Sequence, residues 1–190
     1  MPPFAKAEGV KRSRYVAQAG VIAAVYAAFT LVAIQNPLGY GPVQVRLSEA
    51  LTVVALFTPA AIPGLTLGSV VANSFMLSSF PLAWLDVVFG SLATLIGAAW
   101  TWRFRSRTAL ALAGPVVANA LIVPAYLPLM LAGAGFYTLL GADLEGQWIW
   151  MYAFGVVSIL IGEAIVVYGL GLPLAALLRR SGARGLGGEE

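Results

Sequence analysis

Long apolar runs follow one another from residue 15 to residue 178, each closed by a proline- or glycine-rich turn or by a cluster of arginines. A helix needs about 20 apolar residues to cross the hydrocarbon layer of a bilayer, and backbone in lipid must satisfy its own polar groups, which favours helices. The runs cover residues 15–34, 43–57, 63–77, 81–102, 108–131 and 148–178. Composition agrees, because 60% hydrophobic and 10% charged residues fall short of the roughly one quarter charged residues of soluble domains. The expected fold class is therefore an all-α integral membrane protein, a bundle of six transmembrane helices.

The expected organisation is a cytoplasmic leader at 1–14, a six-helix domain at 15–178 and a cytoplasmic tail at 179–190. The first run exceeds the 7–15 residues of a signal-peptide core and is read as a retained span. It ends at Asn36-Pro37, before a turn over 37–42. The second and third runs, about 15 residues each, are short enough to be broken or tilted segments. Pro115, Pro124 and Pro128 interrupt the fifth, and the sixth is long enough to tilt.

Charge gives an independent check on the count. Lys6, Lys11, Arg12 and Arg14, then Arg103, Arg105 and Arg107, then Arg179, Arg180 and Arg184 make 10 of the 11 basic residues. Six spans place all three clusters on one side, the cytoplasmic side by the positive-inside rule, and leave only Arg46 opposite. Five or seven spans would divide them. The net charge of +3 is explained by topology and implies no nucleic-acid partner.

Several function classes drop out. The chain has no cysteine and no histidine, so thiolate chemistry, the commonest metal ligand and the usual proton shuttle are missing. Both lysines lie in the leader, so no phosphate-cradling loop is present and the chain cannot drive transport with ATP alone. No nucleophile–base pair stands at useful spacing. The expectation is a protein that is not an enzyme and needs no cofactor or metal.

Few polar residues enter the apolar runs. Arg46 and Glu49, three apart, are expected to share a helix face and neutralise each other near the outer boundary. Asp86 enters the fourth run from the same side. Asn73 and Asn119 each close a Val-Val-Ala-Asn quartet, ~15 Å from the cytoplasmic start of their helices at 1.5 Å per residue. Glu163 stands mid-helix in the sixth run, where an ionised carboxylate costs on the order of 3 kcal/mol or more unless paired, protonated or hydrated, so it is expected to face the interior. Trp84, Trp148, Trp150 and Tyr152 suit an interfacial belt, from which one or two can stack on a ligand. Ala19, Ala23 and Ala27 make a smooth stripe for close helix packing, as do Ala24 and Ala28. The polar groups gather in the outer half, which describes a pocket opening outward; a channel would be lined through its full depth.

Five blocks carry a more specific signal: residues 45–51 (VRLSEAL), 61–64 (AIPG) leading to Ala72-Asn73, 85–95 (LDVVFGSLATL), 117–123 (VANALIV) and 161–168 (IGEAIVVY). In order and spacing they resemble the QueT family, substrate-binding S components of energy-coupling factor transporters for queuosine or its 7-deazaguanine precursors. The resemblance implies a deazapurine substrate captured from outside, and a transmembrane coupling subunit with two ATPase subunits as partners. It implies substrate-binding roles for Arg46, Glu49, Asn73, Trp84, Asp86, Asn119 and Glu163, and a docking role for Ala19, Ala23 and Ala27. The alternatives are an S component for another small nutrient such as a vitamin, or a structural membrane protein whose buried polar groups only lock the bundle.

Overall fold

The computed structural model describes residues 3–35, 40–139 and 142–182, with side chains from residue 11 onward except at 138, 139 and 142. The Asn36-Pro37 helix end and Arg184 lie outside the described residues. Helix α1 covers Pro3–Ala33, so the leader continues the first helix instead of preceding it. A turn and bends over 40–43, then non-helical chain to Arg46, lead into a 3-10 helix, Leu47–Leu56. Helix α2, Ala61–Ser74, ends in a short 3-10 turn, Phe75–Ser78. A π-helical turn, Asp86–Gly90, runs into α3, Ser91–Arg103. Helix α4 is Thr108–Met130. The last rod joins α5, Trp148–Ala164, through a π-helical stretch, Ile165–Leu170, to α6, Gly171–Arg180. Between α4 and α5, strands β1 (Thr138–Leu139) and β2 (Ala142–Asp143) form a small antiparallel hairpin.

Among the described residues, four helices are long and apolar enough to cross a membrane: Lys11–Ala33, Ala61–Ser78, Thr108–Met130 and Trp148–Arg180. The second expected span differs most. Ten residues of 3-10 helix rise ~20 Å at about 2.0 Å per residue, less than the ~30 Å hydrocarbon core, and the rest of that passage is non-helical chain. The expected interruption of the fifth run does not occur, since all three prolines sit within α4. Two of them are met by glycines: a Cβ on Gly97 would come 2.7 Å from Pro115 Cα, and one on Gly155 would come 2.8 Å from Pro124 Cβ. Neighbouring helices thus close onto the backbone that proline disturbs.

The ends of the bundle are chemically distinct. The Arg103, Arg105 and Arg107 loop and the end of α6 lie together, with Arg179 Nη2 donating to Thr108 Oγ1 at 2.7 Å. The start of α1 belongs there too, because Tyr15 donates to the Pro59 carbonyl at 3.4 Å and Thr58 donates to Gln18 Oε1 at 3.2 Å. Above this basic end Val53, Leu56, Leu112, Val116 and Val167 form one apolar cluster. At the opposite end a second cluster holds Leu127, Met130, Leu131, Tyr137 and Met151, and Tyr40 packs on Phe80 and Phe136 with ring centroids 5.8 Å apart in both cases. Burial raises the pKa of the Tyr137 hydroxyl, and the charge of Glu145 raises it further, so the phenol stays neutral.

Helices α1 and α2 run side by side on small residues. A Cβ on Gly64 would lie 2.8 Å from the Ala19 carbonyl, and one on Gly68 would lie 2.7 Å from the Ala23 carbonyl. Ala27 is buried. At Ala19 and Ala23 the two backbones approach because α2 carries glycine there, while both alanines keep part of their surface exposed. Gly20, Ala24 and Ala28 occupy the exposed face of α1, and Gly20 has no atom within 4 Å of where its Cβ would stand.

Candidate functional site

Between the two apolar clusters lies a layer of buried polar side chains drawn from every rod. One part is centred on Asp86. Its Oδ2 pairs with Arg46 Nη2 at 3.5 Å and its Oδ1 accepts the Tyr126 hydroxyl at 2.5 Å. The π-helical turn that starts here departs from regular i+4 bonding, and Asn73 Nδ2 donates to the Asp86 carbonyl at 2.9 Å. Gly90 makes the convergence possible, since a Cβ there would lie 2.5 Å from Asp86 Oδ1 and 3.0 Å from both Asn73 Nδ2 and the Tyr126 hydroxyl. Ser69, Ser91 and Thr94 link α2 to α3 below, with Ser91 and Thr94 each 3.3 Å from Ser69 Oγ.

The other part is built on two glutamates. Glu49, in the 3-10 helix, accepts the Tyr26 hydroxyl of α1 through Oε1. Glu163, one residue before the end of α5, accepts Asn119 Nδ2 of α4 through Oε1 at 3.2 Å. Asn119 also faces Glu49. Each glutamate keeps one buried oxygen without a hydrogen-bond partner, Oε2 in both cases, and the same holds for Gln44 Nε2 and Ser48 Oγ. Gln44, Ser48, Glu49 and Glu163 are all at most 3% exposed. Most buried polar groups are hydrogen-bonded, and each exception calls for an explanation. The non-helical segment that brings Gln44 in lies along α5: Ser158 donates to the Pro42 carbonyl, and Gly162 leaves space that the Gln44 carbonyl occupies.

Six of the seven residues expected at the site come together here: Arg46, Glu49, Asn73, Asp86, Asn119 and Glu163. Trp84 does not, being half exposed on the outside. The expected pairing of Arg46 with Glu49 is met in part: the charge of Arg46 acts on Glu49, while its salt bridge is with Asp86. Arg46 precedes the helix in extended conformation, with φ −95° and ψ 108°, so the i, i+3 alignment does not apply and its ion pair is with Asp86. Tyr26, Gln44, Ser48 and Tyr126 were not anticipated. Tyrosine in an apolar run reads as bulk or interfacial anchor, although a buried phenol usually has a polar partner.

The site lies in a chain whose residues 16–180 match the model of one family, described as QueT transporter. The chain belongs to the QueT transporter family. This is a family of transporters, not of enzymes, and with four apolar helices long enough to span it makes the chain a multi-pass membrane protein. A curated relative, the queuosine precursor transporter QueT of Lactococcus lactis subsp. cremoris (strain MG1363), is 33% identical over 76 residues, which is 40% of this chain and 42% of the relative. The matched part thus spans less than half of that relative's length. No solved structure matches the chain significantly.

Proposed function

We infer that this chain is the substrate-capture subunit of an energy-coupling factor uptake transporter, binding queuosine or a 7-deazaguanine precursor and passing it inward with a coupling subunit and two ATPase subunits. The name of the Lactococcus lactis relative supports the substrate class. The observation that carries the reading is the set of four unpartnered polar atoms, Gln44 Nε2, Ser48 Oγ, Glu49 Oε2 and Glu163 Oε2. A 7-deazaguanine has an amide N–H and an exocyclic amine side by side, with a carbonyl beside them. Carboxylate oxygens accept the two donors, and an amide N–H serves the carbonyl. Asp86 has both carboxylate oxygens engaged, so Glu49 and Glu163 are the carboxylates for the base and Gln44 is the carbonyl donor. Arg46, Asp86 and Asn73 form the frame that holds them.

In this reading the basic end faces the cytoplasm with both termini, and each of the six rods makes one passage. The pocket is assigned to open on the opposite side, at the end that carries Tyr40, Phe80 and Phe136. Entry requires the 40–46 segment to withdraw from α5. An equilibrium binding panel on the purified full chain tests the reading. Queuine, preQ0, preQ1 and queuosine are expected to compete for one site, and vitamins are not. A folded protein that binds none of the four, or that prefers a vitamin, would sink it.

Docking to the coupling subunit is assigned to the open face of α1. Ala24→Trp is expected to abolish co-purification with the coupling subunit while leaving ligand affinity within about twofold, since that face is exposed and close approach needs small side chains. Ala23→Trp, on the α1–α2 seam, is expected to lower thermal stability instead. The assignment fails if Ala24→Trp assembles normally.

A further inference from the structure

We propose that the outer groove between α3 and α4 holds an acyl chain of an anionic glycerophospholipid, whose phosphate is bound by the arginine loop joining the same two helices. The groove has a volume of about 300 Å³. Ala113 and Gly114 form its recessed floor, and Ile96, Trp100, Val117 and Leu121 stand along it, each of these four more than a third exposed. Trp100 lies so close to Gly114 that a Cβ there would strike the indole. The indole N–H is already spent on the Leu110 carbonyl at 3.0 Å, so Trp100 offers the groove only apolar surface.

The lining is therefore suited to hydrocarbon, and its shape distinguishes it from the rest of the lipid-facing surface. A chain lying between Trp100 and Val117 touches a floor and two walls, whereas a lipid on a plain helix face meets one wall. Eight residues separate Ala113 from Leu121, ~12 Å of helix at 1.5 Å per residue.

Charge selects the headgroup. Arg103, Arg105 and Arg107 are exposed, and the ion pair found among the described residues is the distant Arg46–Asp86, so these arginines have no carboxylate partner among the described residues. Arg105 lies over the Trp102 ring, 4.0 Å from its centroid, a stacking that fixes the side chain without neutralising it. From Arg107 to Ala113 is six residues, or ~9 Å along α4, a span suited to a glycerol backbone between phosphate and chain. Arginine suits such a phosphate because its planar donors form paired hydrogen bonds to it. The leaflet concerned is the one that meets the basic end, so the inference does not depend on the cargo.

Native mass spectrometry of the full chain, released from mixed micelles of phosphatidylglycerol and phosphatidylcholine with identical acyl chains, tests this. Phosphatidylglycerol is expected to be retained at least tenfold over phosphatidylcholine. Arg105→Gln with Arg107→Gln should remove the preference, and Ala113→Phe should remove the retained lipid. Leu121→Gln, which keeps the floor intact, serves if Ala113→Phe fails to fold, and should cut retention severalfold. Equal retention of the two lipids by the unaltered chain overturns the proposal, as does unchanged retention in the groove variants. It is also overturned if those variants lose association with a second copy or a coupling subunit while keeping their lipid, because the groove would then be a protein interface.

Discussion

Asp86→Ala is expected to destabilise the folded chain by about 3–5 kcal/mol, the usual cost of removing one partner from a buried ion pair. The loss is large because Arg46 and Tyr126 both lose Asp86 at once. Arg46 is 7% exposed and Asp86 2% exposed, so the guanidinium has little water to turn to once its carboxylate is gone. The Tyr126 hydroxyl, which donates to Asp86 Oδ1 at 2.5 Å, loses its acceptor as well. Asn73 should be unaffected, since it bonds to the Asp86 main-chain carbonyl. Replacing the whole group with apolar side chains, Arg46→Met with Asp86→Leu and Tyr126→Phe, removes the buried charges and should recover most of the stability. Denaturant unfolding in detergent measures both. A single substitution costing less than about 1 kcal/mol, or a triple variant no better than the single, would show that the pair does not hold the bundle.

The bundle was legible in the sequence because its signal is physical and local. Helices are written as apolar runs, and four of them are long enough to span. All six helical rods fall where those runs lie. The finer errors come from places where one residue's conformation depends on another rod. Arg46 reads as a helical neighbour of Glu49, but it ends a non-helical segment that α5 receives against Gly162, so it also reaches Asp86 of another rod. The alanine stripe gave a packing surface, and part of it meets α2. Periodicity tells which residues share a face of α1 but not what that face meets, and Gly64 and Gly68 of α2 decide it. Tyr26 and Tyr126 were missed because hydropathy counts the ring and overlooks the hydroxyl, although both hydroxyls hold carboxylates in the layer.

Glu49→Gln and Glu163→Gln are each expected to weaken binding of a 7-deazaguanine ligand by roughly 1.5–3 kcal/mol, the range for charge-assisted hydrogen bonds, or ~10- to 150-fold in affinity. Glutamine keeps the shape of the side chain and its Oε1 can still accept from Tyr26 or Asn119. What changes is the second atom: an unpartnered acceptor, Oε2, becomes an NH2 donor that faces the donors of the base. Stability should move the other way, because each substitution removes a buried carboxylate that is only half satisfied and replaces it with a neutral group of lower burial cost. Weaker binding by a protein that is no less stable separates a ligand contact from a structural one. A lock on the bundle would lose stability and leave affinity untouched in whatever fraction stays folded. Isothermal titration on the two variants beside the unaltered chain, with unfolding measured on the same samples, reads both quantities. If affinity is unchanged in both variants while the protein remains folded, Glu49 and Glu163 are not the residues that receive the base, and the free oxygens they present are filled by water.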